Sequence, residues 1–118
     1  MAINKTLPEL FGDGTTQTAT DFTILKSSLV SKRIPPAFQP LLSLGENTAE
    51  SLFTALLLKV WENQDTSSDT ELALFGPDVQ LVSLISDGVP TVFDQYVFNV
   101  RILSKRPTAN TMPNPNLI

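Results

Sequence analysis

The acidic stretch after residue 64 offers the most suggestive spacing of ligand atoms in this chain. Side-chain oxygens stand there at alternate positions, in Asp65, Ser67, Asp69 and Glu71. The first half of a calcium-binding loop has this spacing, but such a loop also needs glycine at its sixth position and a bidentate acid at its twelfth. This chain has Thr70 and Gly76 there. We therefore interpret the stretch as a solvated polar loop and predict no metal site.

Acid–base catalysis needs two carboxyl groups in different environments. Four acids are available for such a pair: Asp21, Glu62, Asp87 and Asp94. Their spacing selects no two of them. The chain has no histidine and no cysteine, so the commonest general base and the thiolate nucleophile are both absent. We predict a protein that is not an enzyme, with no catalytic residue and no cofactor.

Two further sets of residues have chemistry suited to ligand binding. Lys32-Arg33 and Lys105-Arg106 are basic pairs that could contact phosphate, although such pairs are more often solvated or engaged in salt bridges. Trp61 and Tyr96 could stack on a sugar ring, but a lone tryptophan in an apolar segment usually belongs to the core. A free module that binds calcium or carbohydrate is therefore the alternative hypothesis, and we do not favour a small-molecule ligand.

Composition narrows the class of partner. The 118 residues have a net charge of -4, which repels phosphate backbones and anionic lipid, so we expect neither nucleic acid nor membrane as a partner. Only 17% of the residues are charged against 42% hydrophobic, and we expect part of so weakly charged a surface to be covered by other chains. The first residues contain no apolar run of the length of a secretory signal, and we expect a soluble protein.

The element with the clearest period is residues 91–103, TVFDQYVFNVRIL. Its apolar side chains fall on one side of an extended chain, in Tyr96, Phe98, Val100 and Ile102. This two-residue repeat predicts a half-buried central strand. Residues 79–85 are apolar on both sides, which predicts a strand covered twice. The Ser86-Asp87-Gly88 turn joins the two into an antiparallel hairpin, with a connection of about five residues.

Earlier parts of the chain are less regular. Residues 15–25 are rich in β-branched side chains and predict a first strand, whereas residues 27–48 are broken by prolines and predict a long packed connection. Segment 48–62 is either strand or helix: Asn47 and Glu50 have the spacing of a capping box, but the run of large apolar residues also suits a buried strand. We lean slightly to strand because the neighbouring segments predict sheet.

The predicted fold is mainly β, a small antiparallel sandwich or barrel with extended N- and C-terminal arms. Residues 1–14 form the N-terminal arm, 15–104 a single β-rich domain, and 105–118 an extended C-terminal tail. We expect these ends to become ordered against neighbouring chains. Their interface anchors are the apolar and proline residues Leu7, Leu10, Phe11, Pro113, Pro115, Leu117 and Ile118.

The stretch LPELFGDGTTQTATDFTILKSSL, a β-rich body and an asparagine–proline tail together resemble the small accessory structural proteins of tailed-phage virions. The resemblance covers most of the chain and includes no diagnostic motif. It implies a compact β domain at the head surface, neck or baseplate, with arms that reach adjacent subunits. The expected function is that of a structural subunit, acting by interface burial and arm exchange. Its partners would be copies of itself and other structural proteins, in a virion or a cytoplasmic assembly.

Overall fold

The computed structural model describes residues 5–42, 45–65, 71–104 and 112–118. The chain divides into two compact units, Met1–Glu71 and Leu72–Ile118, which we call the helical unit and the hairpin unit. Each unit contains one two-stranded antiparallel sheet. The predicted division of the chain at residues 14 and 104 stays a prediction.

The helical unit begins with α1 (Leu7–Phe11). Its N-terminus has a capping box: Thr6 Oγ1 accepts from the backbone N–H of Glu9 at 3.4 Å, and the Glu9 carboxylate accepts from the Thr6 N–H at 3.2 Å. These reciprocal bonds satisfy donors that a short helix would otherwise leave open, so this stretch is helical where we predicted an extended arm. The helix ends at Gly12, whose φ of 103° favours glycine.

Two short strands follow, β1 (Thr16–Gln17) and β2 (Phe22–Thr23), paired antiparallel. The prediction of one strand over residues 15–25 is therefore wrong in its continuity. Thr18 reverses the chain: its N–H donates to the Asp21 carbonyl at 2.8 Å, and its Oγ1 accepts from the Asp21 N–H at 2.9 Å. Such side-chain hydrogen bonds stabilise turns and compete with a continuous strand.

Residues 49–63 form the longest helix of the described chain, α2 (Ala49–Asn63). Our lean to strand for segment 48–62 is wrong. Thr48 is the N-cap, and its Oγ1 accepts from the Ser51 N–H at 3.1 Å. The cap thus lies one residue after the predicted Asn47, whose side chain instead accepts from Lys26 Nζ at 2.8 Å. Fifteen residues rich in Ala, Leu, Lys and Glu suit a helix once the first turn is capped.

A small core lies around α2. Ala55 and Val60 are buried on the helix, and Leu29 is buried in the segment that precedes it. A short 3-10 helix, Lys26–Ser28, leads into this segment. The predicted packed connection is only partly packed, because Ile34 within it is 98% exposed.

The hairpin unit consists mainly of two long antiparallel strands, β3 (Leu72–Ser86) and β4 (Val89–Ile102). The predicted hairpin is therefore present, but its connection is two residues long instead of about five. In the part of the chain that the structure describes, β4 has one neighbour in a two-stranded sheet, so it is not shown as the predicted central strand. Among the described residues both sheets are open and form no barrel. The described fold is thus antiparallel sheet with helices, without the predicted closure.

Candidate assembly surface

The turn of the hairpin establishes which residues share a face. Asp87 and Gly88 have φ angles of 51° and 76°, as the two central residues of a type I′ turn require. Ser86 consequently pairs with Val89, and the register continues from there along both strands. An Asp-Gly pair between two strands of alternating apolar residues is the local sequence signal for this turn, and the register of the strand pairing follows from it.

A bulge interrupts β3 where Gly76 and Pro77 lie opposite Phe98. Gly76 has a φ of +108°, and a Cβ there would lie 2.7 Å from the backbone oxygen of Val97, so the position requires glycine. Because two residues oppose one at the bulge, the side chains of β3 keep the same face before and after it. Leu74, before the bulge, therefore lies on the same face as Val79 after it.

Alternation along the paired strands then defines two faces. We call the first the apolar face: it comprises Leu72, Leu74, Val79, Leu81, Ser83, Ile85, Pro90, Val92, Asp94, Tyr96, Phe98, Val100 and Ile102. Asp94 is its only charged residue. The opposite face, which we call the mixed face, alternates apolar residues with Asp78, Gln80, Gln95, Asn99 and Arg101. The side on which we placed Tyr96 and its apolar neighbours is the side that the strand pairing groups together.

This apolar face is largely uncovered by the chain itself. Ile85 is 76% exposed, Leu81 74%, Val92 67% and Tyr96 59%. The prediction that residues 79–85 are covered on both sides is therefore wrong for the single chain. Twelve large apolar side chains of β3 and β4 are exposed, seven of them on the apolar face. These seven are 41–76% exposed, so at about 150 Å² for a whole side chain the uncovered apolar area is roughly 600 Å². The largest apolar patch on a typical monomer is about 300–600 Å² and is often functional, so this face lies at the upper end of that range.

The predicted N-terminal anchors lie in the helical unit. Leu7, Leu10 and Phe11 are on α1 and are each half-buried. Helix α1 packs on α2, where Asn63 Nδ2 donates to the Leu10 carbonyl at 3.1 Å. The Phe11 ring meets the edge of Phe22 at a centroid distance of 5.3 Å. These anchors thus have partners within their own unit, and their role at an interface stays a prediction.

The predicted C-terminal anchors lie around a short 3-10 helix, Pro115–Leu117. Asn114 caps this turn by accepting from the Asn116 N–H at 3.0 Å, and Ser104 donates to the Asn114 carbonyl at 3.4 Å. Among the anchors, Leu117 is half-buried while Pro113, Pro115 and Ile118 are exposed. The exposed members remain available to a neighbouring chain.

Within the helical unit, a cluster of titratable groups includes buried Lys59 and Glu62 together with more exposed Lys32 and Arg33. Lys59 is fully buried, and its Nζ donates to the Val30 carbonyl at 2.8 Å. Burial lowers the pKa of Lys59, and the nearby charge of Lys32 lowers it further. A substrate cannot reach this amine through the side chains that cover it, so we interpret the cluster as structural.

Glu62 is the acidic member of this cluster, with a side chain only 5% exposed. It accepts from Ser31 Oγ at 2.5 Å and from the Lys32 N–H at 3.2 Å, and Arg33 Nε lies 3.6 Å away. Burial alone would raise the pKa of Glu62, but these hydrogen bonds and the charge of Lys59 together outweigh it and lower the pKa. The cluster holds residues 30–33 on α2.

Other predicted ligand groups are not gathered into a site by the described residues. Trp61 lies under the Arg33 guanidinium at 5.1 Å, and Tyr96 belongs to the apolar face of the other unit. Most of the acidic loop and the Lys105-Arg106 pair lie outside the described residues. Within them, no group of three or more acidic side chains is arranged to hold a metal ion. The sugar platform and the calcium loop stay predictions.

A groove of about 530 Å³ lies between residues 39–42 and the first turns of α2. This volume suits a small ligand. Its lining combines leucine and proline with the polar side chains Gln39, Glu46, Asn47, Thr48, Glu50, Ser51 and Thr54. None of its lining residues is aromatic, so the groove offers no stacking surface for a sugar ring.

Sequence patterning identified the strands of this surface but not its exposure. One signal was present: residues 79–85 are apolar on both sides, yet only 17% of the whole chain is charged. A strand that is apolar on both sides must be covered on both sides, either by its own chain or by another. The sequence does not say which.

No protein-family model, no curated protein and no solved structure matches this chain. Among the described helices, none combines the length and the apolar character needed to cross a membrane.

Proposed function

We propose that this protein is a structural subunit of a larger protein assembly, in which other chains bury the apolar face of the hairpin. The observation that supports the proposal is the exposure of Leu81, Ile85 and Val92 on two strands of 15 and 14 residues. A native protein that leaves a patch of this size uncovered uses it for binding.

The stability of the hairpin supports the same proposal. An isolated two-stranded hairpin is marginally stable at best in water, and further strands or a helix against one face normally stabilise it. Within the hairpin unit, the described residues form no third strand and no helix longer than three residues. An apolar area of roughly 600 Å² would also supply most of the roughly 800 Å² that one partner buries in a standard interface.

Charge supports protein as the partner. The apolar face has one charged residue, Asp94, and the whole chain has a net charge of -4. Neither attracts a phosphate backbone or an anionic lipid surface. Copies of the chain and other structural proteins are therefore the partners we propose, with neither catalysis nor a cofactor involved.

The particle we propose is that of a tailed phage, with the subunit at the head surface, neck or baseplate. This rests on the resemblance of LPELFGDGTTQTATDFTILKSSL and of the asparagine–proline tail to accessory virion proteins. In such an assembly the predicted sandwich or barrel is completed by strands of more than one chain. The C-terminal residues Leu117 and Ile118 reach adjacent subunits.

The assembly role is tested by sedimentation velocity on the purified chain at about 100 μM. We expect the wild type to sediment as a multiple of 12.9 kDa. Leu81→Glu places a charge on the apolar face and should reduce the sedimenting mass. The matched control, Gln80→Glu, places the same charge on the mixed face of the same strand and should retain the assembly.

A wild type that is a monomer at this concentration, with a melting temperature raised by calcium or by a sugar, would instead identify a free binding module. A second test is deletion of residues 107–118, which we expect to preserve the fold but to abolish incorporation into the particle. Normal incorporation of the shortened chain would contradict the proposed role of the tail.

A further inference from the structure

We propose that the partner on the hairpin is a second copy of this chain, joined along the outer edge of β4 so that two hairpins form one four-stranded sheet. This inference rests on the proposed assembly function and adds the partner, the edge and the symmetry. Pairing of β4 with its counterpart around a two-fold axis is antiparallel and uses the same residues of both copies.

The type I′ turn determines which backbone N–H and C=O groups point away from the hairpin. In a two-residue type I′ hairpin, the residues that flank the turn form a hydrogen-bonded pair, and paired positions then alternate between bonded and non-bonded. Starting from Ser86 and Val89, the pair of Ser83 with Val92 is non-bonded. The N–H and C=O groups of its two residues therefore point outward, to the edges of the sheet.

Along β4 the same alternation directs outward the backbone groups of Val92, Asp94, Tyr96, Phe98, Val100 and Ile102. This row is continuous, because no proline or bulge interrupts β4 after Pro90. Pro90, which has no N–H, occupies an outward position where no bond within the hairpin is lost. The outer edge of β4 is thus a row of backbone groups suited to pairing with another strand.

The outer edge of β3 differs from that of β4. The bulge at Gly76 and the proline at position 77 interrupt it, and both are devices by which native proteins keep sheet edges from pairing. Charge does not distinguish the two edges, because β3 has only Asp78 and β4 only Asp94 and Arg101. One edge of this hairpin is therefore protected while the other is open, and this asymmetry selects β4.

Joining two copies at β4 also brings their exposed apolar side chains together on one face. The outward residues of β4 are the members of the apolar face, so two apolar faces become one continuous surface across four strands. Only a register centred on Asp94 places that carboxylate opposite its own copy, and every other register avoids this repulsion. The face then has twice the apolar area for burial in the larger assembly.

Two matched proline variants test the edge. Val92→Pro removes an outward donor from β4, and Ser83→Pro removes the outward donor of its cross-strand partner from β3. We expect Val92→Pro to reduce the sedimenting mass to 12.9 kDa at concentrations where the wild type is a dimer or larger. Ser83→Pro should keep the wild-type mass. The reverse result would place the contact on β3 and overturn the proposal.

Spin labels give a measurement that does not depend on a disruptive variant. The chain has no cysteine, and Gln80 and Gln95 are a cross-strand pair on the mixed face, so single cysteines at these positions can be labelled cleanly. Pairing at β4 places the two Gln95 strands about 5 Å apart and the two Gln80 strands about 14 Å apart, measured across the sheet. Pulsed electron resonance should therefore report the shorter distance for labels at position 95.

Equal distances at the two positions would indicate stacked sheets, about 10 Å apart, and a shorter distance at position 80 would indicate β3 pairing. Either result in an oligomeric wild type overturns the β4 contact while leaving the assembly function in place. A wild type that remains a monomer at about 100 μM overturns self-association itself, and with it this proposal.

Discussion

The two compact units of this chain differ in how deeply their apolar residues are buried. In the helical unit, Leu29 and Val60 are only 4% and 8% exposed. In the hairpin unit, Leu81 and Ile85 on β3 are about three-quarters exposed. The hairpin unit also buries Ala73 and Leu74, and the helical unit exposes Phe53, so the contrast is strongest between the core around α2 and the apolar face near the turn. We propose that other chains cover that face.

Polar groups show the same difference. In the helical unit, Lys59 and Glu62 are buried with hydrogen-bond partners, which an autonomous fold requires because an unsatisfied buried charge is costly. On the hairpin, the apolar face has Asp94 as its one charge. We therefore expect substitutions in the helical unit to alter folding stability and substitutions on the apolar face to alter association.

The two units can be monitored separately by spectroscopy. Trp61 in the helical unit is the only tryptophan, and Tyr96 in the hairpin unit is the only tyrosine.

The largest effect should follow Glu62→Ala. The substitution removes the acceptor for Ser31 Oγ and the Lys32 N–H and leaves Lys59 buried without a nearby carboxylate. We expect a loss of about 4 kcal/mol in unfolding free energy, measured by urea titration of Trp61 fluorescence. Glu50→Gln, on the exposed first turn of the same helix, should cost under about 1 kcal/mol. Similar losses in unfolding free energy for both variants would contradict the inference that the buried Glu62 stabilises the fold more than the exposed Glu50.

Next in size is Gly76→Ala at the bulge of β3. The substitution combines a φ of +108° with a Cβ placed 2.7 Å from the Val97 carbonyl, and we expect a loss of about 3 kcal/mol in hairpin stability. Gly88→Ala is the control, because its φ is +76° but its Cβ meets open space, so it should cost about 1 kcal/mol. Thermal loss of the Tyr96 ring signals by NMR measures both. Equal costs would show that the bulge tolerates a side chain.

A pair of identical substitutions compares the two units directly. Val60 is 8% exposed and Val92 is 67% exposed. In dilute solution, Val60→Ala should lower the unfolding free energy by about 2 kcal/mol, and Val92→Ala should change it by less than about 0.5 kcal/mol. At about 100 μM the order should invert for association, with Val92→Ala reducing the oligomeric fraction in sedimentation. A large loss for Val92→Ala in the dilute monomer would show that the chain itself already covers this face.

The smallest effect is the response of the helical unit to acid. Because folding lowers the pKa of Glu62, its contribution to stability is complete above the ordinary glutamate value of about 4.3 and is lost as the pH falls through the folded pKa. Urea midpoints of Trp61 fluorescence should therefore decline below about pH 4.3, and Glu62→Gln should flatten the decline. Hydrogen bonding to Thr6 lowers the pKa of Glu9 as well, but Glu9→Gln at this exposed site should leave most of the slope. An unchanged slope in Glu62→Gln would contradict the assignment.

Lysine 59 adds the opposite response at high pH. Burial lowers its pKa, so the folded state favours the neutral amine, and stability should rise with pH between the folded pKa and the ordinary lysine value of about 10.4. Lys59→Met should remove this rise. A rise that persists in Lys59→Met would assign the alkaline response to another group.

Much of the hairpin could be predicted from sequence because the signals for it are local. Alternating side chains in residues 91–103 and the Asp87-Gly88 turn act between neighbours in the chain; the structure has the alternation and a turn at these residues, with a connection of two residues instead of the predicted five or so. The helix at 49–63 was ambiguous for the opposite reason. Its apolar run suits either a strand or a helix, and the deciding contacts include those of Lys59 and Glu62 with residues 30–33, about thirty positions earlier.

The sequence by itself determined the alternation, the tight turn, the low charge and the lack of histidine and cysteine, since each depends on residue type or on neighbours. Only the tertiary structure decided that Lys59 is buried and that Leu81 and Ile85 are exposed. Whether a side chain is covered depends on which distant segments pack against it. Composition and period do not contain that information.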